Sequence, residues 1–210
     1  MITIIDYGVG NLFSLSSSLS YLGLENKVSR DPEDLRKADH IILPGVGAYG
    51  DAIAKLRGSG MAEPLLDEAK AGKPIMGICL GMQLLFDKSY EYGEHQGLGL
   101  IPGVMADLKE DIPENLKVPH MGWNSLRAAT PCRLLAGVEP TAEFYFVHGY
   151  YVEPDPALVI ATTVYGREFC SLYGRDGLWA AQFHPEKSGR PGLALLRNFY
   201  EYCWEARHAQ

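Results

Sequence analysis

Short apolar runs alternate with amphipathic stretches through the first half of the chain. The runs at 2–5, 41–43 and 75–78 have the length and apolar content of buried β-strands. The amphipathic stretches, which predict helices, are 12–22, 52–56 and 64–71. Residues 31–33, Asp-Pro-Glu, supply an N-cap, a first-turn proline and a first-turn acid for a further helix. This alternation predicts βαβ units, and therefore a mostly parallel sheet with helices on both faces.

The second half is richer in β-branched and aromatic residues, and Gly, Pro and Asp break it into short runs. Strands are predicted at 126–129, 143–151, 158–165, 168–173 and 178–183. The segment 173–178 predicts a hairpin turn, and the periodicity of 193–204 predicts a final helix that packs back on the sheet. The expected fold is a three-layer α/β fold with a mostly parallel central sheet and a C-terminal antiparallel β portion. Its length suits one domain over residues 1–210.

Composition and charge narrow the possible partners and location. The 26 acidic and 19 basic residues give a net charge of -7, the opposite of a surface that binds nucleic acid. No apolar run approaches the roughly 18 residues that span a bilayer, so no membrane role is predicted. The cysteines contain no C-x-x-C pair, and the N-terminus lacks the features of a signal peptide. We therefore expect a reduced, soluble, cytoplasmic protein.

Residues 77–81, Gly-Ile-Cys-Leu-Gly, join a buried strand to the start of an amphipathic helix. This pentad is the cysteine counterpart of the nucleophile elbow, in which two glycines allow a sharp turn that exposes the central side chain at the edge of the sheet. The helix N-terminus favours the thiolate form of Cys79. The alternative is a buried, inert cysteine between two helix-packing glycines, and the pentad alone leaves it open.

A histidine and a carboxylate follow the last predicted strand. In an extended His184-Pro185-Glu186 segment, residues i and i+2 share a face, so Glu186 can lie behind the imidazole of His184 and fix its tautomer. A solvated surface loop is the alternative for this segment alone. Together with Cys79, the two residues predict a catalytic triad of nucleophile, base and acid.

A glycine loop follows the strand at 41–43. Its sequence, Pro-Gly-Val-Gly-Ala-Tyr-Gly at 44–50, formally matches the G-x-G-x-x-G of dinucleotide-binding proteins, but it follows a second strand rather than opening the first βαβ unit. Free backbone N–H groups in such a loop also suit an oxyanion hole. We expect one oxyanion donor from Leu80, in the elbow, and a second from Val46 or Gly47.

Taken together, these motifs resemble the class I, or triad, glutamine amidotransferases, and in particular the branch formed by the glutaminase subunits of imidazole glycerol phosphate synthases. The similar segments are 5–12, 43–48, 77–83, 119–124, 145–148 and 182–188, of which 119–124 is the most discriminating. The resemblance implies that Cys79 attacks the glutamine carboxamide, that His184 passes a proton to departing ammonia, and that water releases glutamate from a thioester. It also implies that Gln83, Gly149 and Tyr150 hold glutamine and that no cofactor takes part. The family usually has Ser or Thr where this chain has Gly149, so a hydroxyl contact to glutamine is lost there.

The same resemblance implies a heterodimer with a (β/α)₈-barrel cyclase subunit of histidine biosynthesis. That subunit receives the ammonia and forms imidazole glycerol phosphate and aminoimidazole carboxamide ribotide. The docking face is expected to contain Asn11, Met121, Trp123, Asn124, Tyr145 and Lys187. The alternatives are that Trp123 and Tyr145 are core aromatics and that Lys187 is a solvated charge.

Three other functions compete with this interpretation. A glutaminase subunit of pyridoxal phosphate synthase would carry a Gly-Gly-Glu-Ser run in the oxyanion loop, which is absent here. A catalytically silent glutaminase-like subunit would not need an intact triad, and a nicotinamide-dependent dehydrogenase rests only on the glycines of 44–50. The six histidines show no H-E-x-x-H or paired Cys/His spacing, so no metal site is predicted, and His120 and His148 are interpreted as structural or interface residues.

Overall fold

The structure, a computed structural model, describes the backbone of residues 1–175 and 177–208, and their side chains except those of Pro154, Arg175 and 202–208. The strands of this part of the chain are β1 Ile2–Ile5, β2 Asn26–Ser29, β3 His40–Leu43, β4 Ile75–Ile78, β5 Phe86–Ser89, β6 His95–Gln96, β7 Ile101–Asp107, β8 His120–Ser125, β9 Arg127–Ala128, β10 Glu143–His148, β11 Tyr150–Pro154, β12 Val159–Tyr165, β13 Arg167–Arg175 and β14 Leu178–Ala181. The α-helices are α1 Leu12–Tyr21, α2 Pro32–Lys37, α3 Tyr49–Gly58, α4 Ala62–Lys70, α5 Leu80–Leu84, α6 Leu108–Asp111 and α7 Gly189–His208, and 3-10 helices occupy Arg133–Leu135, Pro156–Leu158 and Pro185–Lys187.

The central sheet has eight strands in the order β2-β1-β3-β4-β14-β13-β12-β9. The first five strands are parallel, with Ile42 opposite Met76 and Ala181 opposite Ile78. The last three, β13, β12 and β9, follow β14 in the sheet, and each is antiparallel to the strand before it. The predicted α/β fold, mostly parallel with an antiparallel portion from the second half of the chain, is confirmed.

Helices cover both faces of the parallel strands because side chains alternate across each strand. On one face, Ile42 packs in a core cluster with Leu19 of α1 and Phe199 of α7. On the other, Ile41 packs in a cluster with Leu56 of α3. Strands that are buried on both faces have continuous apolar sequences, which explains why the sequence pattern predicted them.

The pattern predicted one strand at 143–151, but the structure has two, β10 and β11. β10 pairs antiparallel with β8 in a two-stranded sheet, whereas β11 pairs with β7 in a second, four-stranded sheet of order β11-β7-β5-β6. The chain changes partners at Gly149, where the apolar pattern continues unbroken. The prediction was wrong because the pattern reports strand propensity and not pairing partner.

Local signals at helix and turn positions agree more closely with the structure. The Asp31 carboxylate accepts a hydrogen bond from the Glu33 N–H at 2.9 Å and so caps α2. The antiparallel pair β13–β14 confirms the predicted hairpin, of which Asp176 lies outside the described residues. The predicted C-terminal helix starts earlier than expected, at Gly189. Within residues 1–175 and 177–208, no helix is long and apolar enough to cross a membrane.

Candidate active site

The elbow at 77–81 lies where β4 ends and α5 begins. The residue with the left-handed backbone conformation is Cys79 itself, with a φ of 53°. The flanking glycines serve a different purpose from the predicted one, since they allow close packing rather than the turn. A Cβ on Gly81 would lie 1.9 Å from the Leu43 carbonyl oxygen, and one on Gly77 would lie 2.6 Å from the Met82 Cα. The nucleophile candidate therefore carries the backbone strain, and the glycines let the elbow sit against β3 and α5.

The position of the Cys79 side chain follows from two neighbouring strands. The Cys79 N–H donates to the Ala181 carbonyl at 2.7 Å, which ties the end of β4 to the end of β14. Its Sγ lies 3.7 Å from the Val147 carbonyl oxygen and 3.9 Å from the Gln182 Nε2. The residue is 6% exposed, so the sulfur lies at the bottom of a site and not on an open surface.

His184 and Glu186 form a buried pair directly after β14. The His184 Nδ1 and the Glu186 Oε1 lie 2.8 Å apart, and the two side chains are 2% and 3% exposed. The segment was predicted to be extended, but Pro185 begins a 3-10 helix at 185–187. The fixed φ of proline suits the first position of a helical turn as well as an extended chain, so the sequence did not distinguish the two conformations. The predicted contact between the imidazole and the carboxylate nevertheless forms.

The charge state of His184 is set by competing effects. Burial by itself lowers the pKa of this imidazole, but interactions with Cys79 and Glu186 more than offset burial and raise the pKa to about 9. The His184 Nε2 is buried and makes no hydrogen bond of ordinary geometry within the described part of the chain. This nitrogen is therefore left for the Cys79 thiol or for a bound reactant.

A cavity of about 170 Å³ contains most of the predicted site. Cys79 and His184 line it together with all the residues predicted to supply the oxyanion hole or to hold glutamine, which are Val46, Gly47, Leu80, Gln83, Gly149 and Tyr150. The segments come together because the carboxyl ends of β3, β4 and β14 meet at one edge of the parallel sheet, where ligands bind in open α/β folds. Glu186 lies behind His184.

Comparison with known proteins identifies the family. The sequence matches the family described as glutamine amidotransferase class-I over residues 3–203. The chain belongs to this family. The imidazole glycerol phosphate synthase subunit HisH of Desulfovibrio desulfuricans is 54% identical over 218 aligned residues, which cover 100% of both chains. The protein of the same name from Desulfitobacterium hafniense is 52% identical over 206 residues, which cover 98% of this chain and 96% of that one.

The solved structures agree on the fold. A crystal structure described as that of a glutamine amidotransferase superposes with a TM-score of 0.76 at 20% identity, covering 97% of this chain and 100% of that one. A glutamine amidotransferase from Thermotoga maritima superposes with a TM-score of 0.61 at 13% identity, covering 98% of this chain and 84% of that one. At these levels of identity the similarity concerns the fold alone. It nevertheless confirms the predicted class I glutamine amidotransferase fold.

In this class I amidotransferase, the glycine loop after β3 packs directly on the elbow. A Cβ on Gly45 would lie 2.5 Å from the Gly81 nitrogen, and the Tyr7 hydroxyl donates to the Pro44 carbonyl at 2.8 Å. Gly47 has a φ of 99°, in the region that favours glycine. The start of the loop is therefore anchored, whereas Val46 is 40% exposed and faces the cavity.

Gln83 is held in one orientation by its neighbours. Its Nε2 lies 3.1 Å from the Gln182 Oε1 and 3.4 Å from the Tyr150 carbonyl oxygen. Both amide hydrogens of Gln83 are used in this way, and its Oε1 is the group that remains to accept a hydrogen bond from a ligand. Gln182 also belongs to this network, although no role was predicted for it.

The residues predicted for the docking face do not all face outward. Met121 and Trp123 are 62% and 53% exposed on one face of β8, and the Trp123 ring packs edge-on against Tyr145 with centroids 5.8 Å apart. Trp123 is therefore not a core aromatic, whereas Tyr145 is half-buried. The Lys187 Nζ lies 5.6 Å from the centroid of the Tyr145 ring. These four side chains share one surface.

Asn124 and Asn11 are placed differently. Alternation along β8 turns Asn124 to the inner face, where its Nδ2 donates to the Val164 carbonyl at 2.9 Å. Asn11 is half-buried at the N-cap position of α1, but its side chain makes no capping hydrogen bond. The Asn124 amide is therefore used inside the fold, whereas the Asn11 amide does not cap α1.

Sequence reasoning missed Glu91, which lies in the loop after β5. This carboxylate lines the cavity and also a larger neighbouring cavity of about 730 Å³, which shares Gly149 and Tyr150 with the first. Its Oε2 accepts a hydrogen bond from the Tyr49 N–H at the start of α3. No motif surrounds Glu91 in the sequence, so only the fold reveals that it lines the same cavity as Cys79.

Proposed function

We propose that this chain is the glutaminase subunit of an imidazole glycerol phosphate synthase. It hydrolyses glutamine to glutamate and ammonia and passes the ammonia to a cyclase subunit. The observation that carries the proposal is the buried His184–Glu186 pair beside Cys79, at a left-handed elbow that opens into a cavity. Full-length similarity to relatives that bear this subunit's name supports the assignment to the branch.

The triad residues divide the reaction into two steps. The Cys79 thiolate attacks the carboxamide carbon of glutamine, and His184 donates the proton from Nε2 to the departing nitrogen, so that ammonia leaves and a thioester remains. Neutral His184 then takes a proton from water, which attacks the thioester and releases glutamate. The thiolate and the imidazolium are regenerated. Glu186 holds the proton on Nδ1 and stabilises the charged ring.

The cavity supplies groups for the rest of the substrate. The Leu80 N–H, at the start of α5, and an N–H at Val46 or Gly47 would bind the oxyanion. The Gln83 Oε1 and the backbone at Gly149 and Tyr150 would contact the amino-acid part of glutamine. Glu91 would pair with the α-ammonium group, because it is a carboxylate that faces the cavity.

We further propose a heterodimer with a (β/α)₈-barrel cyclase subunit, a single domain over residues 1–210, and a location in the cytoplasm. The exposed apolar pair Met121 and Trp123 supports a partner at the outer face of β8, since large apolar side chains grouped on a surface mark interaction sites. Asn11 and Lys187 are assigned to the rim of the same surface, and Tyr145 supports it from below. Asn124 contributes through β8 and not by direct contact.

The test measures glutamate release by the purified chain, alone and then with the cyclase partner and its nucleotide substrate. A partner-dependent rate that Cys79→Ala abolishes and Cys132→Ala retains is the expected result. Cys132 is a suitable control because it is a free cysteine that does not line the cavity. If glutamine stays intact under every condition, the chain is a silent glutaminase-like subunit instead.

A further inference from the structure

Two buried imidazoles outside the triad contact each other between β8 and β10. His120 and His148 are opposite each other in the register of these strands and are 3% and 5% exposed. The His120 Nδ1 lies 3.1 Å from the His148 Nε2, and the His148 Nδ1 lies 2.8 Å from the Tyr150 carbonyl oxygen. At the other end, the His120 Nε2 lies 3.4 Å from the Asn124 Nδ2. The four groups form one continuous chain of polar contacts.

The direction of every hydrogen bond in this chain follows from its inner end. A carbonyl oxygen only accepts, so the His148 Nδ1 carries a proton, and in a neutral ring its Nε2 is then an acceptor. The His120 Nδ1 must therefore be the donor to it, which leaves the His120 Nε2 to accept from the Asn124 amide. Burial lowers the pKa of His120 to about 4 and that of His148 to about 3, so both rings are neutral near pH 7.

Packing keeps the outer ring in its plane. The His120 ring stacks between those of Phe146 and Tyr165, with centroid distances of 4.9 and 4.2 Å. Rotation of the ring out of this plane would break both stacking contacts. A half-turn within the plane would place Cδ2 opposite the His148 Nε2, so the polar contacts select the orientation in which Nδ1 faces His148 and Nε2 faces Asn124.

The inner end of the chain reaches the candidate active site. The Tyr150 carbonyl that accepts from His148 also lies 3.4 Å from the Gln83 Nε2, and both residues line the cavity beside Cys79. The outer end is the Asn124 amide on β8, the strand whose opposite face carries Met121 and Trp123. The chain thus connects the strand of the proposed docking face to the proposed glutamine pocket.

We propose that His120 and His148 are positioning residues that hold the Tyr150 carbonyl, and through it Gln83, in the arrangement that binds glutamine. Neither ring touches the reacting atoms in this scheme. The inference rests on the proposed glutaminase function, because it concerns the binding of glutamine. It differs from the role first expected for the two histidines, which was structural or at the interface.

The first test does not depend on activity. In ¹⁵N-histidine-labelled protein, both rings should be neutral Nδ1–H tautomers, whereas a neutral imidazole in water favours the Nε2–H form. His120→Phe and His148→Phe variants assign the two sets of signals. If either ring is an Nε2–H tautomer or is charged near pH 7, the chain of donors and acceptors is absent and the proposal fails.

The second test is a double-mutant cycle on glutamine hydrolysis by the complex with the cyclase subunit. His120→Phe keeps an aromatic ring in the stack but removes the donor to His148, and Asn124→Ala removes the outermost donor. Loss of one hydrogen bond corresponds to about a 3- to 10-fold rise in KM for glutamine, with kcat changed less than about twofold. The double variant should have no higher KM than the more affected single variant, because the same chain is broken in each.

Tyr165→Phe is the matched control for this cycle. It removes a hydrogen bond of 2.8 Å to the Lys117 carbonyl from the same aromatic stack, but it leaves the chain intact, so KM should stay at the unaltered value. His120→Asn places an amide donor near the position of Nδ1 and should restore KM toward that value. Additive effects of the first two variants, or an equal rise in Tyr165→Phe, contradict the proposal. Absence of glutaminase activity in the unaltered complex would reject the proposed function. The tautomer test would then decide whether the chain of hydrogen bonds through His120 and His148 exists.

Discussion

Replacing Glu186 by Gln tests how the triad holds its proton. The change keeps an oxygen that accepts from the His184 Nδ1 but removes the negative charge, at a position where both side chains are almost fully buried. Burial lowers the pKa of His184, and Cys79 and Glu186 raise it to about 9. Without the carboxylate charge, only Cys79 opposes burial, so the pKa of His184 must fall.

The size of the fall follows from the geometry. Unit charges 2.8 Å apart attract by roughly 6 kcal/mol at an effective dielectric constant of about 20. Desolvation of a buried ion pair offsets several kcal/mol of this attraction. A remainder of about 1.5 to 3 kcal/mol corresponds to about 1 to 2 pH units. We therefore expect the pKa of His184 in Glu186→Gln to lie about 1 to 2 units below that of the unaltered chain.

The assay is the pH profile of kcat/KM for glutamine hydrolysis by the complex. The imidazolium that protonates the departing ammonia is present below the pKa of His184 and is lost as the pH rises through it. The basic limb should therefore lie near pH 9 for the unaltered chain and at a lower pH for Glu186→Gln. At about pH 8.5 the smaller protonated fraction of His184 should make the variant about 3- to 25-fold slower.

A surface carboxylate supplies the control for this experiment. Glu33→Gln neutralises an exposed acid that pairs with Arg36 on α2, and it should leave the profile unchanged. A basic limb that moves by less than about 0.3 pH unit in Glu186→Gln would refute the reasoning. In that case the carboxylate of Glu186 orients the ring without stabilising its charge.

Three further changes have defined outcomes. Gly81→Ala should lower the thermal midpoint and abolish glutamine hydrolysis, because its Cβ would meet the Leu43 carbonyl oxygen at 1.9 Å. Gly58→Ala is the control, since Gly58 lies at the end of α3 and its Cβ would meet nothing within 4 Å. This control should be neutral or should stabilise the chain by up to about 1 kcal/mol. Gly149→Ser restores a hydroxyl beside the cavity where its Cβ has ordinary contacts, and it should lower KM for glutamine about 2- to 10-fold in steady-state assays. Trp123→Ala should weaken binding of the cyclase partner at least about tenfold in calorimetry, with the thermal midpoint of the isolated chain little changed, because its ring is mostly exposed.

Much of the candidate site could be predicted because its signals are local. The pentad around Cys79, the capping acid Asp31 and the apolar parallel strands each depend on residues that are close in sequence, and the structure has each of them at the predicted position. The role of the pentad's glycines differs, since they allow close packing and not the turn. The contact between His184 and Glu186 was also predicted, although the 3-10 turn that makes it was not. Because His184 and Glu186 are two residues apart, their side chains can meet in an extended segment or in a 3-10 turn.

The buried parallel strands β1, β3 and β4 and the chemistry at their ends therefore follow from the amino-acid sequence, whereas β2 and β5 to β8 were not predicted. The pairing of the strands does not follow from the sequence, since the run at 143–151 divides between two sheets at Gly149 only in the folded chain. Folding also brings Glu91 to the cavity and places His148 between the Tyr150 carbonyl and the His120 ring. A side chain's hydrogen-bonding role depends on the groups at both ends of its contacts. Those groups are distant in sequence, and their identity is settled only when the strands have paired.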